Sequence, residues 1–325
     1  LCHVCKWGIF LFTILQHEIT ALLNSNSRRL MQTRDFQELT EQAARHPTDS
    51  SKYRFFSSKT AQAIWKHKAV TWIGIGLREE LAFVTTVLSK PEIYKWASPI
   101  AHMIPRAPDF EIWQDACLQG AGGFSLSLRF WRALEWDDAI YKRTLRFLPQ
   151  RDQYLLSINL LEYAALIIGL AAAILAWEEM PPADQPNHPI ALLWTDNTSA
   201  ASWTKKVAGL KGPQGKALAR IFAHLLMFSD MGINAKHIAG NENHIADFLS
   251  RIRETDDFSR FSHASLSQKF PQLHTSRRFL PSPELLSLVS SALLSGSRSI
   301  PTTRIMLGQL KAAKTTTPTS AAPLK

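Results

Sequence analysis

The chain has 325 residues, 46% of them hydrophobic, and its formal net charge is +10 at pH 7. This length and apolar content allow one large or two ordinary domains with a true core, and the presence of only three cysteines excludes a disulfide scaffold. So few cysteines indicate a reducing compartment, the cytoplasm or the nucleus, and the basic balance favours a polyanionic partner such as nucleic acid.

The first 107 residues carry few signals. Residues 1–60 show no clear pattern, so no fold is assigned to them. Residues 61–107 predict helices, because TAQAIWKHKAV and REELAFVTTVLS hold apolar residues at helical spacing. The chain begins with Leu1 rather than Met, and we therefore expect a fragment of a longer reading frame.

Three strands are predicted next. FEIWQDACLQ is typical of a strand, and GGFSLSLRFW alternates apolar and polar residues, as a half-buried antiparallel strand does. Gly120, Gly122 and Gly123 are expected in the turn between these two strands, and RALEW supplies a third.

A long apolar helix, Ile158–Glu179, follows, and PPADQPNHP ends it. IALLWTD predicts a central strand buried on both faces, and Asn197, Thr198 and Ser199 are candidates to cap the next helix. The remaining elements are the helices SAASWTKK and QGKALARIFAHLLMFSDMG, the strand INAKHIAG and the helix ENHIADFLSR. This order predicts an α/β fold with a mixed sheet flanked by helices.

The segment Leu155–Trp177 is long enough to span a bilayer. It carries Asn159 and Glu162 within the run, however, and no second span accompanies it. We therefore expect a buried helix of a sheet protein and no membrane partner.

The basic excess lies outside the central region, because residues 111–253 hold 14 basic and 14 acidic side chains. From Thr275 to Lys325 there are seven basic residues and one acidic residue. Residues 254–325 accordingly predict a basic, largely disordered tail with one short helix in RRFLPSPELLSLVSSALLSG.

Four carboxylates stand in apolar surroundings, where an unpaired charge is costly. Asp115 lies on the first predicted strand, Glu162 in the long helix, Asp196 at the end of the buried strand and Asp247 at the start of the last helix. Binding of divalent cations would explain all four together. Individually, Asp115 could lie in a turn, Glu162 in a salt bridge, Asp196 in a helix cap, and Asp247 at a solvated helix start.

Four stretches of the chain, WQDACLQGAGGFS, INLLEYAALI, LLWTDNTSAASWTKK and HIAGNENHIADFLSR, resemble the ribonuclease H domain of retroelement reverse transcriptases. The similarity is greatest to DIRS-type tyrosine-recombinase retrotransposons, with gypsy-like elements next. It implies a ribonuclease H-like domain over residues 108–253 with a five-stranded mixed sheet, preceded by a thumb- or connection-like segment over 61–107. A polymerase domain is then expected upstream in a full-length polyprotein.

The resemblance also implies an activity. It assigns Asp115, Glu162, Asp196 and Asp247 as ligands of two Mg²⁺ ions, with Mn²⁺ as a substitute, for hydrolysis of the RNA strand of an RNA–DNA hybrid. His237 lies near the position of a mobile histidine that helps product release in many such enzymes. Two alternatives stay open: a catalytically silent remnant that binds nucleic acid, and a transposase or integrase of the same superfold, which usually uses three acids.

Basic side chains cluster around two of the predicted helices and are candidates for phosphate contacts; they are Lys205, Lys206, Lys211, Lys216 and Arg220. The alternative interpretation is that they form the solvated face of those helices.

Overall fold

The structure is a computed structural model, which describes residues 30–32, 70–72, 100–102, 104–148, 153–205, 210, 212–252, 263–296 and 304–311. The strands are β1 Leu30–Gln32, β2 Val70–Trp72, β3 Phe110–Ala116, β4 Gly120–Ser125, β5 Phe130–Glu135, β6 Phe147–Leu148, β7 Gln153–Tyr154, β8 Ile190–Thr195, β9 Gly232–His237, β10 Arg277–Pro281 and β11 Gly308–Lys311. The α-helices are α1 Asp138–Leu145, α2 Ile158–Glu178, α3 Thr198–Lys205, α4 Pro213–Phe228, α5 His244–Ser250, α6 His263–Lys269 and α7 Pro283–Ser295.

The main sheet has seven strands in the order β11-β10-β5-β4-β3-β8-β9. Strands β3, β4 and β5 form an antiparallel meander, and β8 and β9 continue from β3 in parallel. On the other edge, β10 runs parallel to β5 and β11 antiparallel to β10. The predicted α/β class with a mixed sheet flanked by helices is confirmed, but the predicted number of five strands is wrong.

The two additional strands come from the segment that was predicted to be a largely disordered tail. Residues 263–296 and 304–311 instead supply α6, β10, α7 and β11, so the prediction for 254–325 is corrected there. Helix α7 is capped by Ser282, whose hydroxyl accepts a bond from Leu285 N at 3.0 Å, and it ends at Gly296 with a φ of +63°. Its buried stripe of Leu285, Val289, Ala292 and Leu293 outweighs the basic composition, because that stripe completes the core.

The helical prediction for residues 61–107 lies outside the described residues, apart from two short pieces. Strand β2 pairs with β1 in an antiparallel ribbon, and Ile100–His102 forms a single 3₁₀ turn. The uncertain segment 1–60 is described only at β1.

The first hairpin differs from the predicted one. GGFSLSLRFW is not one strand, because a turn separates β4 from β5 and Arg129 has a φ of +50°. The Ser125 hydroxyl accepts a bond from Leu128 N at 3.2 Å and donates one to Glu111 O at 2.7 Å. Such side-chain bonds replace the backbone bonds of a strand, so the segment after Ser125 forms a turn although its apolar and polar residues alternate.

Helix α2 is apolar on every side because it packs between the sheet and helices α4 and α7. Among the described residues it is the one helix that is long and apolar enough to cross a membrane, yet 78% of its most apolar 18-residue window is buried inside the fold. Helix α5 covers the opposite face of the sheet with a second, smaller cluster of buried residues. The sheet therefore separates two apolar layers.

Candidate metal centre

Three carboxylates from three different elements converge at one end of the sheet. Asp115 is the penultimate residue of β3, Glu162 lies in the second turn of α2, and Asp196 directly follows β8. Each offers one oxygen, and these oxygens all lie within 4.8 Å of one another. The parallel register pairs Trp113 with Trp194, so Asp115 and Asp196 come two residues later on both neighbouring strands. A metal ion could bind between the three side chains.

Two hydrogen bonds join helix α2 to the end of strand β8. The Thr195 hydroxyl donates to Glu162 Oε2 at 3.4 Å and accepts a bond from Asn197 N at 3.1 Å. Asn197 Nδ2 donates to Asn159 Oδ1 at 2.8 Å, while Asn197 Oδ1 caps α3 by accepting from Ala200 N at 2.9 Å. Since Asn197 is the cap, the alternative interpretation of Asp196 as a helix cap is wrong.

Burial gives the cluster an unusual protonation behaviour. Glu162 is 3% exposed, and burial followed by repulsion from Asp115 and Asp196 raises its pKa to about 9. Asp115 is 4% exposed, and burial first, with Asp196 and Asp247 adding to it, raises its pKa to about 6. Burial also raises the pKa of Asp196. At neutral pH the three carboxylates therefore cannot all be ionised cheaply unless a further cation binds.

The donor set suits a hard divalent cation. All three donors are carboxylate oxygens, which Mg²⁺ and Mn²⁺ prefer. Within the described part of the chain, Asp115 Oδ2 is buried and has no hydrogen-bond partner. A buried carboxylate oxygen without a partner is costly, and a bound cation would satisfy it.

Helix α5 reaches the cluster because two glycines of β4 leave room for it. A Cβ at Gly122 would overlap Ser250 N and lie 2.5 Å from Ala246 O, and one at Gly120 would lie 2.8 Å from Ser250 O. Cys117 Sγ also donates to Ser250 O at 3.1 Å. Gly120, Gly122 and Gly123 are thus strand residues, and the prediction that they form the turn is wrong.

The loop before α5 is held in place by a contact with β3 and lies close to Asp196. Asn243 is 1% exposed, and its Nδ2 donates to Gln114 O at 2.8 Å on β3, next to Asp115. Gly240 lies close to Asp196, since a Cβ there would be 3.3 Å from Asp196 Oδ2. This loop therefore sets the approach of α5 to the carboxylates.

Asp247 lies near the cluster without belonging to the group of three. Its charge contributes to raising the pKa of both Asp115 and Asp196. Its Oδ1 accepts bonds from Arg251 Nε at 2.9 Å and Nη2 at 2.5 Å, and its side chain is 41% exposed. This arrangement fits the alternative of a solvated acid at a helix start, and the role of fourth ligand stays a prediction.

His237 is exposed at the end of β9, where it pairs in register with Thr195. Its charge contributes to lowering the pKa of Asp196. A role of His237 in product release stays a prediction.

The predicted phosphate-contacting set is divided by the structure. Lys205 is exposed at the end of α3 and Lys216 is half-buried on α4, while Lys206 and Lys211 lie outside the described residues. Arg220 is only 4% exposed, so its assignment as a surface phosphate contact is corrected. The reason is that α4 packs against both α2 and α7, and every residue from 217 to 227 is buried.

The chain does not match any known family model, curated protein or solved structure. The assignment of a function therefore depends on the geometry of this site.

One buried cation near the carboxylates was missed by sequence reasoning. Arg132 on β5 is fully buried. Its Nη2 donates a hydrogen bond to Gln114 Oε1 and a second one, 2.7 Å long, to Ala165 O on α2. Burial lowers its pKa to about 9, whereas the charges of Glu162 and Asp115 act to raise it. The absence of a side chain at Gly123 and Gly169 leaves the space that Gln114 occupies. Gly123 and Gly169 are therefore the sequence feature that could have indicated the buried pair of Arg132 and Gln114.

Proposed function

We propose that this chain contains a ribonuclease H-like domain that hydrolyses the RNA strand of RNA–DNA hybrids with the help of two Mg²⁺ ions, or Mn²⁺ in their place. We further propose that it belongs to a reverse transcriptase polyprotein of a retroelement, with a polymerase domain upstream and an intracellular site of action, cytoplasmic or nuclear.

The observation that carries this proposal is the convergence of Asp115, Glu162 and Asp196. They come from a strand, a helix and the end of a parallel neighbouring strand, and their oxygens lie within 4.8 Å of one another. Cations held by carboxylates from separate elements, with room left for substrate oxygens, are typical of phosphoryl-transfer sites.

The topology gives further support. The neighbouring strands β5-β4-β3-β8-β9 form a mixed arrangement with three antiparallel strands, which agrees with the five-stranded mixed sheet that the resemblance implies. Helix α2 connects the meander to β8 and brings Glu162 to the end of β3. Strands β10 and β11 extend this arrangement at the β5 edge, which the resemblance does not account for.

Each side chain has a defined part in the proposed reaction. When bound, the divalent cations lower the pKa of water and stabilise negative charge on the phosphate. Asp115, Glu162 and Asp196 would hold them, and the Thr195 hydroxyl orients Glu162. Asp247 and Arg251 form a charged pair at the rim that can separate when substrate arrives. His237 is exposed and its charge acts on Asp196, which supports the proposed part of His237 in departure of the product.

The test is cleavage of an end-labelled RNA–DNA hybrid by the full chain in Mg²⁺ and in Mn²⁺. The Asp196→Asn variant should lose at least about 100-fold in rate, because a ligand charge is removed without a change of shape. Asp184→Asn, which alters an exposed acid in the loop before β8, should cleave like the wild type. Equal activity of wild type and Asp196→Asn would refute the proposal.

A second candidate is a catalytically silent remnant that binds nucleic acid without cutting it. The observation that favours it is the Asp247–Arg251 ion pair, which leaves only three carboxylates in the cluster. Binding of the hybrid without cleavage in either metal would favour this alternative. An Arg251→Ala variant that gained cleavage would show that the pair restrains an otherwise competent site.

A further inference from the structure

One row of side chains crosses all seven strands of the main sheet. The strand registers pair Lys236 with Trp194, Trp194 with Trp113, Trp113 with Phe124, Phe124 with Trp131, Trp131 with Arg278, and Arg278 with Lys311. Four consecutive aromatic residues therefore lie side by side, with basic residues at both ends. Directly opposed residues in a sheet project from the same face.

The rings and cations of this row contact one another. Trp113 and Phe124 stack with ring centroids 5.0 Å apart and planes 8° from parallel. The Lys236 ammonium lies 5.8 Å from the centre of the Trp194 ring, and the Arg278 guanidinium lies 5.5 Å from that of Trp131. These are the distances of cation–π pairs.

The two halves of the row have different surroundings. Phe124 and Trp131 are 5% and 4% exposed, because helices α5 and α6 cover them in the second apolar cluster. Trp113 and Trp194 are only half-buried, and Lys236 is exposed. Core packing thus explains Phe124 and Trp131, and Trp113 packs partly against the same cluster. Trp194 and Lys236 reach solvent, and packing in a core does not explain them.

The solvent-reaching half lies beside the carboxylate cluster. Trp113 precedes Asp115 by two residues on β3, and Trp194 lies on β8 two residues before Asp196, which directly follows that strand. Since residues two apart on a strand project from the same face at a spacing of about 7 Å, Trp113 and Asp115 share a face. A chain whose phosphate lay at the carboxylates would therefore bring an adjacent nucleotide over these rings.

We propose that Trp113, Trp194 and Lys236 form a stacking site for an unpaired nucleotide where a single-stranded overhang of the RNA strand leaves the hybrid. This site rests on the proposed function for the identity of the strand. Trp194 offers the ring, whose Nε1 is held by Glu111 Oε1 at 3.3 Å, and Lys236 offers the phosphate-pairing charge. Stacking on aromatic rings with a nearby cation is how single strands are held without base readout.

The experiment measures binding and contact separately from cleavage. Fluorescence anisotropy with a labelled hybrid that carries a single-stranded RNA overhang is recorded in EDTA, with the full chain. Trp194→Ala should weaken binding about 5- to 150-fold, the range measured for loss of one stacking ring. Trp194→Phe should restore most of the affinity, since it keeps a ring.

Lys236→Ala should weaken binding and lower the slope of log affinity against log salt by about 1, because one phosphate contact is lost. The matched control is Lys142→Ala, which removes an exposed lysine of α1 that lies off the row and pairs with Asp138. It should leave both the affinity and the salt slope unchanged.

A direct contact readout decides the matter even if Trp194→Ala fails to fold. Wild-type protein is photocrosslinked to the same hybrid with 5-bromouridine in the overhang, and the modified peptide is identified by mass spectrometry. A crosslink on Trp194 or Trp113 supports the site. A crosslink confined to other peptides, or wild-type affinity in both Trp194→Ala and Lys236→Ala, overturns it.

These outcomes also separate this inference from the proposed function. Crosslinking at Trp194 without any cleavage in Mg²⁺ or Mn²⁺ supports the stacking site and refutes the ribonuclease activity. Cleavage that is lost in Asp196→Asn, together with crosslinks only at other peptides, supports the activity and refutes the stacking site.

Discussion

Replacement of Glu162 by Gln should stabilise the metal-free protein, although it removes a residue of the candidate site. Glu162 is buried and its pKa is raised from 4.5 to about 9 by burial and by the neighbouring carboxylates. The folded state therefore holds a proton that the unfolded state releases between these two pH values. Stability consequently falls as pH rises from 4.5 to 9, and a glutamine, which does not titrate, escapes this loss.

The size of the effect follows from the width of this pH window. One pKa unit corresponds to about 1.4 kcal/mol, so the penalty on wild type is about 1 kcal/mol at pH 5, about 3 kcal/mol at pH 7 and about 5 kcal/mol at pH 8.5. These are upper values, because Gln keeps the shape of the side chain but changes its hydrogen bond with Thr195. The difference between the two proteins should therefore grow with pH.

Urea unfolding in EDTA, followed by far-ultraviolet circular dichroism at those three pH values, measures this difference. Glu135→Gln, at the exposed end of β5, is the matched control and should stay within about 0.5 kcal/mol of wild type. A Glu162→Gln variant that is less stable than wild type at pH 8.5, or a difference that does not vary with pH, would refute the reasoning.

Addition of Mg²⁺ should narrow the difference in stability between the two proteins. A cation that binds only the folded protein stabilises wild type by about 2.7 kcal/mol at a concentration one hundred times its dissociation constant. Glu162→Gln lacks one of the three carboxylates and should gain far less. Equal stabilisation of both proteins by Mg²⁺ would show that the cation binds elsewhere.

Three further predictions concern the packing around the site. Gly122→Ala should cost about 1–3 kcal/mol of unfolding free energy and lower Mg²⁺ affinity, since the new Cβ displaces α5. Gly215→Ala on α4 should be tolerated, because its Cβ meets mainly the side chain of Leu210. Unfolding and metal titration test both variants. A chain ending at Arg253 should lose cooperative unfolding, because it lacks α7 and leaves the β5 edge uncovered; calorimetry measures this. Arg132→Met should cost about 1–3 kcal/mol by leaving Gln114 Oε1 unsatisfied, and the added change Gln114→Leu should recover part of it in urea unfolding.

Most elements from β3 to α5 could be predicted because local periodicity encodes them. The run around Ile112, the apolar length of α2 and the short buried run of β8 each carry a signal within a few residues. The first hairpin was misassigned for the same local reason: the alternation across Ser125 and Leu128 is compatible with a strand, and only the Ser125 hydrogen bonds select a turn.

The tail differs from its prediction because burial of one apolar helix face outweighs its basic composition. Its basic residues favour disorder, but Leu285, Val289 and Leu293 recur on one face of α7 and bury themselves against elements formed much earlier in the chain. Burial against the rest of the fold stabilises this helix, and scales of local helix propensity do not include that contribution.

The sequence by itself determined the residue types that make the site chemically capable. Acids in apolar settings at Asp115, Glu162 and Asp196 were visible without coordinates, because a charge among apolar residues is costly wherever the chain folds. The tertiary structure alone decided which acids meet: Asp115, Glu162 and Asp196 converge, whereas Asp247 forms an ion pair with Arg251. It also decided the row from Lys236 to Lys311, because strand register joins residues that are far apart in the chain.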